Sequence, residues 1–235
     1  MLAYLPGTHA PAGATVLTEE EAHNQGKALV LGWHEGRLSL WPPMGRETPV
    51  AVDFLQGALG YRISQGRVKH ERLVKAMGRL PNNSLIVDAT AGLGRDSALL
   101  AAAGFEVLML EANPVLQQLL SDGLLRLQGQ LPLRLITGRA EDILPQLAPQ
   151  VVYLDPMFPE RRKSAAVKKE LAWLQYIAPI PSHGEEANLL KIARRAATHK
   201  VVVKRPANAP FLGAETPNSQ LPGKAVRFDV YLPIS

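Results

Sequence analysis

VDATAGLGRD, residues 87–96, is the stretch on which the fold of this chain turns. An apolar run (Leu85, Ile86, Val87) ends in Asp88, small residues lead through Gly92 and Gly94, and an Ala/Leu-rich segment opens at Arg95 and Asp96. The order is strand, glycine turn, helix N-terminus, the construction with which α/β sheets hold nucleotide cofactors. Glycines in such a turn let the backbone approach a ligand closely. A second apolar run, 107–110, closes on Glu111, at about the separation where an acid meets a pair of ribose hydroxyls.

The same turn serves dinucleotides, and the details separate the two cofactors. The third glycine position holds Ser97, and Asp96 stands at the helix start. A pyrophosphate prefers bare N–H groups and the positive end of the helix dipole, so an acid at that mouth disfavours it. S-adenosylmethionine fits better: it has no phosphate, its sulfonium and ammonium favour acids, and its carboxylate can meet Arg95 or the helix N-terminus.

Composition narrows the class. The 235 residues carry 46% hydrophobic side chains, enough for a full core and one domain of ordinary size with a small addition. With no cysteine, disulfides, thiolate zinc sites and cysteine nucleophiles are excluded. The six histidines show no i, i+3 or i, i+4 pairing, so no metal site is expected. The first residues lack a basic segment followed by an apolar one, and no run reaches ~18 apolar residues. A soluble, cytoplasmic protein with no membrane partner is expected. The net charge of +5 suits a polyanionic partner.

Residues 1–80 differ in texture from the rest and are expected to form a small β-rich N-terminal subdomain. Runs at 28–33 and 37–41 flank His34, Glu35 and Gly36 as a hairpin does, Pro42 and Pro43 end it, 50–55 adds a strand, and a short helix over 69–77 stops at Gly78. Its role is open between a substrate-docking surface and a lid on the main sheet. Residues 81–235 alternate strand and helix: strands at 85–88, 107–110, 133–137, 151–154 and 200–204, with helices over 96–103, 114–127 and 141–147 and one opened by a Ser182/Glu185 capping box. The alternating stretch 226–232 reads as an antiparallel edge strand. The fold class expected is α/β, a mostly parallel doubly wound sheet.

Chemistry enters at 151–159, VVYLDPMFP. Asp155, Pro156, Met157 and Phe158 resemble the D/N-P-P-Y/F motif of amino-group N-methyltransferases, with methionine at the second proline. An exocyclic amino nitrogen is a poor nucleophile because its lone pair is delocalised into the base. Hydrogen bonds to Asp155 and to a carbonyl near Pro156 favour pyramidal nitrogen and aim the lone pair. Proline stiffens the turn, and Phe158 offers a face to an extruded base. Alignment rather than strong base catalysis would supply most of the rate. Just beyond lie Arg161, Arg162, Lys163, Lys168 and Lys169, with Lys204 and Arg205 at the end of the 200–204 strand on the same expected face, together a candidate phosphate track.

VDATAGLGRD, EANP at 111–114, YLDPMFP followed by KSAAVKKE, and VVVKRP at 201–206 together resemble a bacterial family, the small-subunit rRNA methyltransferases J, which methylate guanine N2 in 16S rRNA. The resemblance runs from about Val52 to the C-terminus and leaves residues 1–45 unmatched. It implies a class I Rossmann-like fold, S-adenosylmethionine as cofactor, and 16S rRNA or the small ribosomal subunit as partner. It also implies cofactor contacts at Arg95 and Asp96, at Glu111 and Ala112, near Arg139 and Ala140, and at Asp155. Read without the resemblance, the residues reach amino methylation of a nucleobase and leave three alternatives: a DNA methyltransferase, a protein-glutamine methyltransferase, or an rRNA-binding assembly factor without turnover.

Overall fold

The computed structural model describes residues 1–66, 68–81, 83–157, 172–178 and 180–235. Its centre is a seven-stranded sheet built from β5 (Leu85–Asp88), β6 (Glu106–Glu111), β7 (Leu133–Thr137), β8 (Val151–Leu154), β9 (Lys200–Pro206), β10 (Ser219–Leu221) and β11 (Val226–Tyr231). The spatial order is β10-β11-β9-β8-β5-β6-β7. The five strands from β7 to β9 run parallel, and β11 pairs antiparallel with both β9 and β10. The stretch expected as the edge strand is therefore interior. The true edge is β10, whose three residues, Ser-Gln-Leu, are too short and polar to read as a strand.

Both faces of the parallel strands are covered, and alternate residues divide between them. Ile86, Met109, Tyr153 and Val202 belong to one buried cluster, with Leu99 and Leu100 of α4 (Arg95–Ala102) and Leu116, Leu119 and Leu120 of α5 (Pro114–Leu127). Val87, Leu108, Leu110, Val152, Leu154, Val201 and Val203 form the other, against Leu189, Leu190 and Ala193 of a long helix, His183–Ala196. That helix opens with the expected capping box, Ser182 with Glu185. After β5 the chain builds outward through β6 and β7, then crosses back to β8. The β5/β8 junction is thus the switch point where open α/β sheets bind ligands.

The N-terminal residues form a four-stranded sheet in sequence order: β1 (Leu2–Tyr4), β2 (Leu29–His34), β3 (Arg37–Trp41) and β4 (Val50–Ala51). The β2–β3 hairpin turns through Glu35 and Gly36, both at positive φ (49° and 74°), as a two-residue hairpin requires. Three elements were not expected: β1, which pairs parallel with β2, and the helices α1 (Glu19–Asn24) and α2 (Gly57–Ser64). The expected 69–77 helix is a 3₁₀ turn, Val68–His70, followed by α3 (Arg72–Met77), which stops at Gly78 in the left-handed region. This sheet is fused to the main one. Leu29, Leu31, Leu38 and Leu40 share a cluster with Ile86 and Met109, and Asp122 of α5 accepts the Leu38 N–H at 3.2 Å. Arg126 extends the junction, bonding Asp122, Asp53 and the Val52 carbonyl. Among the described residues no helix is long and apolar enough to cross a membrane.

Candidate active site

The carboxyl ends of β5, β6, β8 and β9 border one cavity of about 470 Å³. Of the residues singled out in the sequence, Asp88, Gly92, Arg95, Asp96, Glu111, Ala112, Ala140, Asp155 and Pro156 all stand in its wall. Gly94 and Arg139 do not. Gly94 caps α4 with φ 70°, and a Cβ there would come within 2.9–3.1 Å of Leu120, Phe54 and Met109. Its role in the fold is close packing of the turn on the core. Gly92, at φ 56°, has nothing nearer than 4.0 Å and leaves its side of the turn open. Arg139 is exposed and pairs with Glu141 at 3.1 Å. Phe158, Arg161, Arg162, Lys163, Lys168 and Lys169 lie outside the described residues.

Strand alternation decides which side chains meet here. Asp88, Tyr153 and Lys204 fall on the α4 face of the sheet, and Asp96 points back from the first turn of α4, where the positive helix end favours an anion. Asp96 Oδ2 accepts from the Tyr153 hydroxyl at 2.6 Å and from Lys204 Nζ at 2.7 Å. The same ammonium reaches Asp155 Oδ2 at 2.8 Å. Asp155 is pinned at its backbone too, its N–H donating to Thr90 Oγ1 at 2.6 Å. The Thr90 N–H donates in turn to Asp88, whose other oxygen accepts from Ser97 Oγ at 2.5 Å. Two carboxylates, Asp96 and Asp155, thus share one ammonium, and Asp88 is tied to Asp155 through Thr90.

Lys204 and Arg205 both border the cavity as well, from different faces of β9. They were expected on one face, but successive strand residues point to opposite faces. Lys204 enters the cavity network, whereas Arg205, 1% exposed, packs on the other face with its guanidinium 2.9 Å from Glu186.

Burial sets the protonation states. It pushes the Asp88 carboxyl up to about 7, against the pull of Ser97 and the Thr90 N–H and with a further push from Asp96 and Asp155. It also raises the Tyr153 phenol, as do the surrounding carboxylates, so that hydroxyl stays a donor. On Lys204 burial acts downward, but the charges of Asp155 and Asp96 outweigh it and hold the ammonium protonated above the ordinary lysine value. Glu111 closes the far side. Its oxygens accept the N–H groups of Gly92 at 2.9 Å and Asn113 at 2.8 Å, yet burial dominates and its pKa is raised.

These features fit S-adenosylmethionine. An acidic floor with more carboxylates than cations suits a ligand carrying a sulfonium and an ammonium, and Glu111 at the end of β6 is placed for vicinal hydroxyls. Among the described residues no group of His, Asp or Glu is arranged to hold a metal. Tyr153, Thr90, Ser97 and the place of Lys204 in this network were not foreseen. Only Tyr153 left a signal, a polar-tipped aromatic in the aliphatic strand VVYL.

Known proteins agree. The family model for SAM-dependent methyltransferases matches residues 16–233. A ribosomal RNA small subunit methyltransferase J from Alcanivorax borkumensis is 48% identical over 98% of this chain and 95% of its own length. Its counterpart from Thioalkalivibrio sulfidiphilus is 42% identical over 87% of this chain and 84% of its own. The chain belongs to the ribosomal RNA small subunit methyltransferase J family. Membership takes in the N-terminal residues that carried no resemblance to the eye, and makes the chain a methyltransferase dependent on S-adenosylmethionine. The fold agrees as well: a SAM-dependent methyltransferase from Neisseria gonorrhoeae superposes with a TM-score of 0.71 and 30% identity, covering 99% of this chain and 96% of that one.

Proposed function

We propose that this methyltransferase of the J family modifies the N2 amino group of a guanosine in 16S rRNA. The observation that supports the reading best is Asp155 in the cavity wall, fixed at its backbone by Thr90 and at its carboxylate by Lys204. Bound S-adenosylmethionine supplies an electrophilic methyl group. Everything else falls to the protein. Asp88 and Asp96 favour the cationic end of the cofactor, and Glu111 takes its ribose. Asp155, paired with the neighbouring ammonium, accepts an N–H of the substrate amino group, which localises the nitrogen lone pair and orients it. Pro156 stiffens the turn that offers the second acceptor. Phe158 is the stacking partner for the base, and Arg161, Arg162, Lys163, Lys168 and Lys169 are the phosphate track in this reading.

The test is tritium transfer from labelled cofactor into purified 16S rRNA, DNA and protein fractions, followed by nuclease digestion. Label in N2-methylguanosine from 16S rRNA is expected. Label in DNA or in glutamine, or none in any fraction, overturns the proposal.

A further inference from the structure

A second cavity, also of about 470 Å³, lies on the other side of the cofactor turn, between that turn and the N-terminal sheet. Leu93 and Arg95 line both cavities, so the two adjoin through residues 93–95. Three arginines from three elements converge here: Arg37 at the start of β3, Arg62 in α2 and Arg95 at the start of α4.

Asp53 is the acid in this wall, and its charge is already engaged. Its Oδ1 accepts the N–H groups of Leu55 and Gln56 at 3.0 and 2.9 Å, and its Oδ2 lies 3.0 Å from Arg126, against 4.0 Å from Arg37. Arg37 pairs with the exposed Glu35 at 3.4 Å and only distantly with Asp53, and Arg62 pairs with the half-buried Glu71 at 2.9 Å. Surface pairs of this kind are weak and yield readily to a better anion. A guanidinium fork matches a phosphate in two parallel hydrogen bonds. The volume is that of a small-ligand site, which admits a single strand but not a duplex.

We propose that this cleft grips the phosphodiester backbone of single-stranded RNA flanking the target nucleotide, through Arg37 and Arg62. The inference rests on the rRNA reading above. It gives the N-terminal sheet a substrate-docking role: the strand runs from the Arg37/Arg62 cleft over residues 93–95 to the cofactor cavity.

The experiment compares wild type, Arg37→Ala/Arg62→Ala, and a control, Arg134→Ala/Arg195→Ala, which removes the same charge from exposed positions outside the cleft. Each is titrated with a single-stranded 16S rRNA fragment at several salt concentrations and, separately, with cofactor. Loss of two phosphate contacts lowers the slope of log K against log salt by about 1.4, at about 0.7 per contact for single strands. Arg37→Lys/Arg62→Lys restores most of that slope, and cofactor affinity stays at the wild-type value throughout. A cleft variant with the wild-type slope, or a control with an equal loss, overturns the cleft; if wild type still methylates rRNA, the functional reading stands. Wild type that neither binds nor methylates rRNA overturns both.

Discussion

Asp88 ends β5 almost wholly buried at the cavity wall, and that position makes it a titrating group in the neutral range. Its carboxyl, ordinarily near 3.9, is pushed by burial to about 7. Between about pH 4 and 7 the folded chain therefore keeps a proton that the unfolded chain has released. The sign follows: Asp88's contribution to stability is largest at the acid end, falls as pH rises through this window, and is flat above it. The urea midpoint of wild type relative to Asp88→Asn should fall from pH 4.5 to 7.5 and then level; a constant difference would place the carboxyl at its ordinary value. Ionised Asp88 favours a cationic ligand, so cofactor affinity should rise through the same window and lose that rise in Asp88→Asn. Glu111→Ala should weaken cofactor binding tenfold or more, about 1–3 kcal/mol for charged hydrogen bonds left unmade. Calorimetry checks it, and an unchanged dissociation constant would remove Glu111 from the ribose. Asp155→Ala should abolish methyl transfer with the fold intact by circular dichroism. Near-normal transfer to rRNA would make Asp155 a turn residue only.

At the scale of elements, the two glycines of the cofactor turn do different work. Both adopt left-handed φ, but only Gly94 is packed against side chains. Gly94→Ala should cost about 2–4 kcal/mol, a left-handed penalty plus overpacking against Leu120, Phe54 and Met109, whereas Gly92→Ala should cost about 1–2 kcal/mol. Urea titration of both variants decides it, and equal losses would mean that the core yields around Gly94. The sequence shows both glycines, yet not this division, because Phe54 arrives from the N-terminal segment. The same contrast runs through the fold. The stretches 114–127, 133–137 and 151–154 were legible to the residue: Asn113 and Pro114 mark the start of the helix, 151–154 is a buried, continuously apolar strand, and 133–137, although largely exposed at the sheet edge, is set off by the turns around it. β1 was not: three residues, Leu-Ala-Tyr, become a strand only because β2 lies beside them. α1 did leave a signal, Thr18 and Glu21 forming a capping box, in a segment whose apolar pattern is too brief to draw attention. Lys204 was legible as a cation but not as a partner of Asp155 and Asp96, which are 49 and 108 residues away and meet it only once β9 is laid against β8.

For the molecule as a whole, the junction at α5 is the feature that ties the small sheet to the large one. Arg126 holds Asp122, Asp53 and the Val52 carbonyl, and Gly123 sits so close to Val52 that a Cβ would meet it at 2.4 Å. Arg126→Ala should lower stability by about 2–3 kcal/mol, since it leaves the buried Asp122 carboxylate short of its charged partner. Because the two sheets share one cluster, unfolding should be a single transition, with Trp33 and Trp41 fluorescence, which reports the small sheet once Trp173 is replaced by Phe, coinciding with far-ultraviolet circular dichroism. Two separated midpoints would show independent units. The central sheet has a further property in time rather than in space. β11 comes last of all the strands in the chain, yet it lies inside the sheet, between β9 and β10. During synthesis the edge of β9 must therefore wait, with its N–H and C=O groups unpaired, until residues 226–231 have left the ribosome. Lys204 and Arg205 stand on that waiting strand, so the network around Asp155 is among the last parts of the enzyme to become firm, and a nascent chain holds its core well before it holds its chemistry.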